Sequence, residues 1–348
     1  MKYSLNIQSV TEGKPSFKTA LKKFRPIIEG EKKNLIFAGI AILASSALTL
    51  VSPFIVGHVI DTYVVTGRYR GVLLFGGLLL VIYIAAFAAS YFQTQLMGAV
   101  GQRTLFNLRN AVFRKLQELP VAFFNQNKSG DLISRINNDT DKLNQFFSQA
   151  LMQFVSNAFI IVGAGIFLLS INWKLGVAAL LPGLFLFIFT RAVGGWIRKK
   201  NAVSLQATGG LSAEIQESIE NFKVVVAFDR RDYFRQKFGD ANRKNYETSV
   251  VAGIANNIYI PVYGMVSNAA QLVVLAFGIY LISTGNFTIG LLISYLSYVN
   301  RFYDPLRQIA SIWATFQVAL ASFDRISAIL SLESDIVVIP AALKPSTE

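Results

Sequence analysis

Five long stretches of the sequence contain no Asp, Glu, Lys or Arg. They cover residues 34–60, 71–102, 143–173, 175–190 and 248–300, and the last is long enough for two membrane spans. A helix needs about 20 apolar residues to cross a hydrocarbon core of about 30 Å, and a charge at its centre costs a few kcal/mol or more. The sequence therefore predicts an all-α, polytopic membrane protein with six transmembrane helices.

The composition and charge distribution favour the same class of protein. Hydrophobic residues make up 53% of the 348 residues and charged residues only 15%, which argues against several soluble domains. Thirty of the 33 basic residues fall in the two termini and in alternate connections. By the positive-inside rule, both termini and two long connections are expected in the cytoplasm, and we expect a bacterial plasma (inner) membrane location.

The same basic residues sit at span ends rather than in an aromatic-interleaved stripe, so no nucleic-acid partner is expected. The chain has no Cys and only one His, His58, so we expect neither a disulfide framework nor a metal site.

Helical periodicity extends well beyond the apolar stretches. It predicts two cytoplasmic helical hairpins of about 50 residues each, far longer than ordinary connections. Pro120 is expected to end the second helix, and Ser129 to begin a short helix with a possible cap. The predicted helices cover 34–62, 71–119, 137–171, 175–222, 235–282 and 288–328.

The predicted transmembrane region covers 16–330 and begins with an amphipathic elbow helix, 16–31, that lies in the head-group plane of the membrane lipids. Residues 1–15 are predicted to be a tail. Residues 331–348 are predicted to be a linker.

Three stretches carry a family signature. The first is Leu119-Pro-Val-Ala-Phe-Phe-Asn125 with Ser129-Gly-Asp-Leu-Ile-Ser-Arg135 and Asn138-Asp139. The second is Glu217–Phe228, and the third is Tyr303-Asp-Pro-Leu306 with Ala321-Ser-Phe-Asp-Arg325-Ile326. In order and spacing they resemble the transmembrane domain of ABC exporters of the six-helix, domain-swapped type, in the lineage of bacterial lipid-A flippases and multidrug exporters.

The resemblance implies that two short coupling segments dock on nucleotide-binding domains. It also implies a homodimer, or a heterodimer with a related half-transporter, in which spans 4 and 5 cross to the partner's side. The coupling residues it implies are Ser129, Gly130, Asp131, Leu132, Ser134, Arg135, Ala227, Phe228, Asp229, Arg230 and Arg231.

The chain has no G-x-x-x-x-G-K-[ST] motif to bind nucleotide phosphates, so no catalytic residue and no cofactor are expected in it. ATP and Mg are expected on a nucleotide-binding domain elsewhere. That domain either follows residue 348 in a longer polypeptide or is a separate chain, and the linker-like 331–348 favours the longer polypeptide.

Polar residues within the predicted spans are candidates for a substrate cavity. Uncharged amides often only tie helices together, and His58, Gln93, Gln95 and Asn157 also fit that interpretation. Arg191 should face a cavity or reach the cytoplasmic head groups. The candidate cavity residues are Arg191, Asn256, Asn257, Asn268, Gln271, Asn300 and Arg301.

The leading functional hypothesis is an ATP-driven exporter that moves a lipid, drug or peptide out of the cytoplasm by alternating access. An ion-coupled secondary transporter would show inverted repeats or broken helices, and its cytoplasmic rods would be unexplained. A non-transporting membrane scaffold would need no polar cavity. These alternatives remain open at this point.

Overall fold

The computed structural model describes residues 29–332, and these residues are almost wholly helical, with no strand. The predicted elbow helix and the predicted linker lie almost entirely outside the described residues. The all-α, polytopic prediction is confirmed for the part of the chain that can be described.

The long helices follow the charge-free stretches and continue past them. Short helices lie between or beside them. So do single π-helical turns at Ile60–Val64, Arg135–Asp139 and Phe146–Ala150. In chain order the helices are α1 Lys32–Val59, α2 Tyr69–Gln117, α3 Val121–Gln126, α4 Ser129–Ser134, α5 Thr140–Gln145, α6 Leu151–Ile171, α7 Trp173–Glu220, α8 Phe222–Ala227, α9 Arg231–Asn257, α10 Tyr259–Ser283 and α11 Ile289–Leu330.

Five helical segments within 29–332 are long and apolar enough to cross a membrane. They are Lys32–Val64, Tyr69–Gln117, Ser129–Ile171, Trp173–Glu220 and Arg231–Ser283. The sixth predicted span corresponds to α11, which is 42 residues long. Its apolar part is interrupted by Arg301, Asp304 and Arg307, which lowers its mean hydropathy.

The short helix predicted to begin near Ser129 is confirmed, since α4 begins at Ser129; Lys128 occupies the cap position and makes no side-chain cap hydrogen bond. The helix predicted over 175–222 corresponds to Trp173–Glu220. One local prediction needs correction. The predicted helix 235–282 is interrupted at Ile258, three residues before Pro261, whose ring nitrogen has no hydrogen to donate to the helix.

The chain divides into two compact units. The first contains residues up to Ala164 together with those from Asp304 onward. Its apolar core packs α2 and α11 against the short helices of the first connection, with Val112, Phe123, Leu143 and Ile326 each fully buried. This packing fixes the first connection on the long helices.

The second unit runs from Gly165 to Tyr303. Its tight turn is held by Asn172, whose side-chain oxygen caps α7 by accepting a hydrogen bond from Leu175 N–H at 3.1 Å. The Tyr295 hydroxyl donates to the Leu168 carbonyl at 2.6 Å and thereby ties α11 to the end of α6. Beyond these contacts α7 and α9 form a long antiparallel hairpin that ends in α8.

Candidate functional site

The first connection contains an arginine inside the protein rather than on its surface. Arg135 is only 3% exposed, and its Nε donates to Asp131 Oδ2 at 2.9 Å. One terminal nitrogen of the same guanidinium donates to the Arg325 carbonyl oxygen of α11 at 3.1 Å. Arg135 therefore links α4 to the last long helix.

Asp139 makes a second link to α11. It is fully buried, and its Oδ1 accepts hydrogen bonds from Ser322 Oγ at 3.2 Å and from the Arg325 guanidinium. Lys142 Nζ lies 3.4 Å from the same oxygen. A buried carboxylate is tolerated only when it is paired and hydrogen-bonded, so these groups hold one another in place. We call Arg135, Asp139, Ser322 and Arg325 the ion-pair joint.

Sequence reasoning placed Asp139 and Arg325 in the signature stretches but did not name them, or Ser322, as functional residues. The sequence did contain a signal for the burial of Asp139. Asp139 lies three residues after Ile136 and four before Leu143, so it falls on the apolar face of its helix, where an unpaired charge would be costly.

The predicted docking residues of the first connection differ in their exposure. Ser129 and Gly130 are exposed, whereas Leu132 is buried with Arg135. Asp131 and Ser134 are half-buried. Between them Ile133, which sequence reasoning did not single out, is 58% exposed and presents an apolar side chain at the surface. Ser129, Gly130 and Ile133 are therefore exposed parts of this surface.

The second connection exposes every residue that was predicted to dock. Ala227 to Arg231 all lie at the surface, and Phe228 is 74% exposed. Asp229 adopts a left-handed backbone conformation, with φ of 48°, in the turn between α8 and α9. The turn thus presents one large apolar side chain among several charges.

An apolar cavity of about 400 Å³ lies beside this turn. It is bordered mainly by α7, α8 and α9, and its lining is Ile215, Ser218, Ile219, Phe222, Val225, Arg231, Phe234, Arg235 and Phe238. The two arginines belong to its polar border. An apolar concavity with a charged border is typical of a surface that a protein partner covers.

A lysine joins the two long helices near the turn. Lys237 Nζ on α9 donates to Glu217 Oε2 at 3.0 Å and lies 3.1 Å from Glu214 Oε2, both on α7. The hydrogen bonds to Glu217 and Glu214 raise the pKa of Lys237 above its ordinary value. The carboxylates of α7 therefore favour the charged form of the lysine.

Most of the candidate cavity amides form hydrogen bonds with other groups of the chain. Asn256 and Asn201 exchange two hydrogen bonds of 2.9 Å, and Gln271 donates to Asn300 at 3.0 Å. Asn257 donates to the Gly253 carbonyl of its own helix at 2.9 Å. Such pairs allow amides to remain in a span.

The remaining candidates are not brought to one site. Arg191 is exposed and forms no ion pair with any described residue. Asn268 and Gln95 are exposed, and Arg301 is half-buried. His58 packs edge-on against Phe75 at a ring distance of 5.7 Å.

Gln93 and Asn157 are buried and connect helices. Gln93 accepts a hydrogen bond from Ser45 at 3.1 Å, and Asn157 donates to Gln308 at 3.2 Å. Within residues 29–332 no group of three His, Cys, Asp or Glu side chains is placed to hold a metal ion.

The comparison with protein families gives one match that covers most of the chain. Residues 35–306 match the model described as the ABC transporter transmembrane region. This range includes α2 to α10 completely and both connections.

Individual relatives are distant in sequence but similar over most of the chain. An ATP-dependent lipid A-core flippase of Syntrophus aciditrophicus is 26% identical over 92% of this chain and 53% of its own length. A multidrug resistance ABC transporter ATP-binding and permease protein of Lactococcus lactis is 26% identical over 93% of this chain and 55% of its own. A fatty acid ABC transporter ATP-binding/permease protein of Mycobacterium tuberculosis is 27% identical over 73% of this chain and 40% of its own length. The chain spans about half the length of the relatives it matches.

Proposed function

The chain belongs to the ABC transporter transmembrane region family, and from that premise we propose that it is the membrane domain of an ATP-driven exporter working by alternating access. The relatives are named for a lipid A-core, for multidrug resistance and for a fatty acid. These names support a hydrophobic or amphipathic substrate that leaves the cytoplasm. A bacterial inner membrane with cytoplasmic termini fits the excess of basic residues in alternate connections.

The ATPase reaction is assigned to a nucleotide-binding domain outside this chain. The relatives are ATP-binding/permease proteins about twice as long as their match to it. ATP and Mg would bind there, and this chain would supply the docking surface. Two copies, or this chain and a related half-transporter, would enclose one substrate path.

One observation carries the proposal: the exposed Phe228 and the apolar cavity at the tip of a long helical hairpin. A large aromatic side chain that protrudes from a charged turn is a typical anchor for a protein partner. In the first connection, the ion-pair joint ties the corresponding surface to α11, so a displacement there would reach the last long helix. Docking by Ser129, Asp131, Ser134, Arg230 and Arg231 is part of the same proposal.

The experiment replaces Phe228 by Ala in the transporter with its nucleotide-binding domains. We expect the stimulation of ATP hydrolysis by transported substrate to fall about tenfold or more, as for loss of an interface anchor. Membrane insertion should be unchanged, because Phe228 is mostly exposed. The measurement is phosphate release with and without substrate.

Tyr246→Ala is the matched control. Tyr246 is an aromatic residue of α9 that is 68% exposed but lies 18 residues beyond Phe228. If both variants kept full stimulation, Phe228 would not dock on the ATPase. If ion gradients alone drove transport without ATP, the secondary-transporter hypothesis would replace the proposal.

A further inference from the structure

A polar groove lies in the first unit, between the helical segment that leads into α6 and the middle of α11. It encloses about 130 Å³. Its polar lining consists of Gln145, Gln149, Gln153, Ser311 and Thr315, and the buried Ala150 and Ile312 complete it. We call it the amide groove.

The three glutamines lie four residues apart, so they share one face of their helix. Asn157 continues this spacing and donates a hydrogen bond to Gln308 on α11 at 3.2 Å. At this end of the row, the amide of Asn157 is therefore already hydrogen-bonded within the protein. A row of four amides in an otherwise apolar segment needs a hydrogen-bonding environment, because an unsatisfied amide in hydrocarbon is costly.

The hydrogen-bonding capacity of the groove is largely unused by the protein. None of the three glutamine side chains has a hydrogen-bond partner among the described residues, and all three are exposed. Ser311 and Thr315 donate to carbonyls of their own helix, the Gln308 carbonyl at 2.8 Å and the Ser311 carbonyl at 3.2 Å, so their hydroxyl oxygens can still accept. Each glutamine offers two donor hydrogens and one acceptor oxygen.

Among residues 29–332, no charged residue lines the groove. An ionic group bound there would find no counter-ion, whereas a hydroxyl group, which both donates and accepts, would match the amides and hydroxyls around it. The lining therefore selects an uncharged group with several hydroxyls.

The depth of the groove fits the head of an amphiphile. Gln153 lies 18 residues before Ile171, which ends α6, or about 27 Å along the helix, near the inner edge of a core of about 30 Å. Gln149 and Gln145 lie about 6 and 12 Å further, at the level of the head groups. A head bound in the groove could leave its alkyl tail in the membrane.

The wall that carries Gln149 is a π-helical turn, Phe146–Ala150. Such turns are rare and frequently occur at functional sites. The turn is anchored by Phe146, whose ring centre lies 5.4 Å from that of Phe316 on α11. The groove is thus built on a packed core rather than on a loop.

Resting on the exporter function proposed above, we propose that the amide groove binds the uncharged, hydroxyl-rich head of a substrate amphiphile in the cytoplasmic leaflet. Charged heads are discriminated against because the groove offers them no partner.

The test uses single-cysteine variants, since the chain has no native Cys. Gln149→Cys and Gln153→Cys are placed in phosphatidylcholine nanodiscs, and the rate of labelling by a charged, water-soluble thiol reagent is measured. The probes are octyl glucoside below its micellar concentration, octyl sulfate, octyltrimethylammonium and free glucose. Ala314→Cys is the control, because Ala314 is exposed next to Thr315 but does not line the groove.

We expect both groove cysteines to react, and octyl glucoside to slow the reaction several-fold while the charged octyl compounds do not. The Ala314→Cys rate should not change. Protection by glucose as well would identify free sugars as ligands, and protection by the glucoside alone would identify amphiphiles. Unreactive groove cysteines, or equal slowing by all octyl probes, would overturn the proposal. Labelling needs no ATP hydrolysis, so failure here is distinct from failure of the coupling experiment.

Discussion

Asp139 is the residue on which the ion-pair joint depends. Its side chain is 1% exposed and accepts from Ser322 and Arg325 through a single oxygen, Oδ1. The other oxygen, Oδ2, is buried with no hydrogen-bond partner in the described part of the chain. Because both bonds from Asp139 to α11 use this one atom, small changes at Asp139 should affect both of them.

Asp139→Asn is expected to lower the stability of the folded chain by about 1–3 kcal/mol, since it leaves Arg325 without its counter-ion. The expected loss of stability is smaller than for a fully buried ion pair, because the Arg325 side chain is 37% exposed. Ser322→Ala should cost about 1 kcal/mol, the value of one neutral hydrogen bond. Thermal unfolding in detergent, followed for each variant, measures the difference.

The double variant Asp139→Asn with Arg325→Gln completes the test of the joint. If the two side chains act as a pair, the double variant should be no less stable than Asp139→Asn alone. Strictly additive losses would mean that they contribute separately.

Gly176 permits the close approach of α6 and α7. A Cβ at this position would lie 2.6 Å from the Leu168 carbonyl oxygen, which belongs to the backbone and cannot move aside alone. Gly176→Ala should therefore destabilise the turn by about 1–3 kcal/mol.

Gly264→Ala in α10 provides the matched comparison, because nothing lies within 4 Å of its added Cβ. It should leave stability unchanged or raise it by about 0.5–1 kcal/mol. The thermal midpoints of both variants test this, and equal midpoints would contradict the close-approach argument.

At the scale of elements, the α7–α9 hairpin relies on a lysine whose pKa is raised. A group with a raised pKa stabilises the folded form below its unfolded pKa, here 10.5, and that contribution disappears as pH rises through the higher folded value. The hairpin should therefore loosen near its turn in strongly alkaline solution.

Spin labels at Gly210→Cys and Asn242→Cys, both exposed, would report the separation of α7 and α9. As the pH rises above 10.5 we expect the distance distribution to broaden, because Lys237 loses its charge only as the pH passes through its raised pKa. With Lys237→Arg it should stay narrow, since arginine remains protonated. Broadening to the same extent in both proteins would assign the effect to other groups.

The positions of the long helices could be predicted from the sequence because lipid excludes charge. Residues 71–119 were predicted for α2, which covers Tyr69–Gln117. The π-helical turns could not be predicted, since they depend on how neighbouring helices pack. The interruption at Ile258 had a readable signal in Pro261. The burial of Arg135 could not be predicted either, because it depends on a carbonyl group 190 residues away.

The parts of the candidate site differ in how much of their structure the sequence can predict. The exposure of the second connection follows from its composition, because a turn of charged residues beyond the membrane can only face water or a partner, and its docking role stays a prediction. The amides of the spans were less informative, since a sequence does not show whether Asn256 faces a cavity or another amide such as Asn201. The glutamine row of the amide groove had a readable signal in its four-residue spacing.

At the scale of the whole molecule, the α7–α9 hairpin exposes more apolar surface than water favours. Leu205 is 75% exposed and Ile219 70%, and both lie on α7 beyond the length needed to cross a membrane. Phe113, which also lies beyond this length on its helix, α2, is 56% exposed. Large apolar side chains outside the bilayer indicate a surface that another chain covers, and we expect this to be a second transmembrane domain.

Depth along the helices suggests which positions meet in a domain-swapped dimer. Ile219 lies 46 residues after Trp173, and Phe113 lies 44 residues after Tyr69, so they are about 69 and 66 Å from the outer ends of their helices. Ile219→Cys in one tagged copy should form a disulfide or short crosslink with Phe113→Cys in a differently tagged copy. Tyr83→Cys, only about 21 Å from the outer end of α2, should not react with Ile219→Cys. Crosslinks that form only when both cysteines lie in the same chain would mean that α7 and α9 stay with their own copy, and the swap would be wrong.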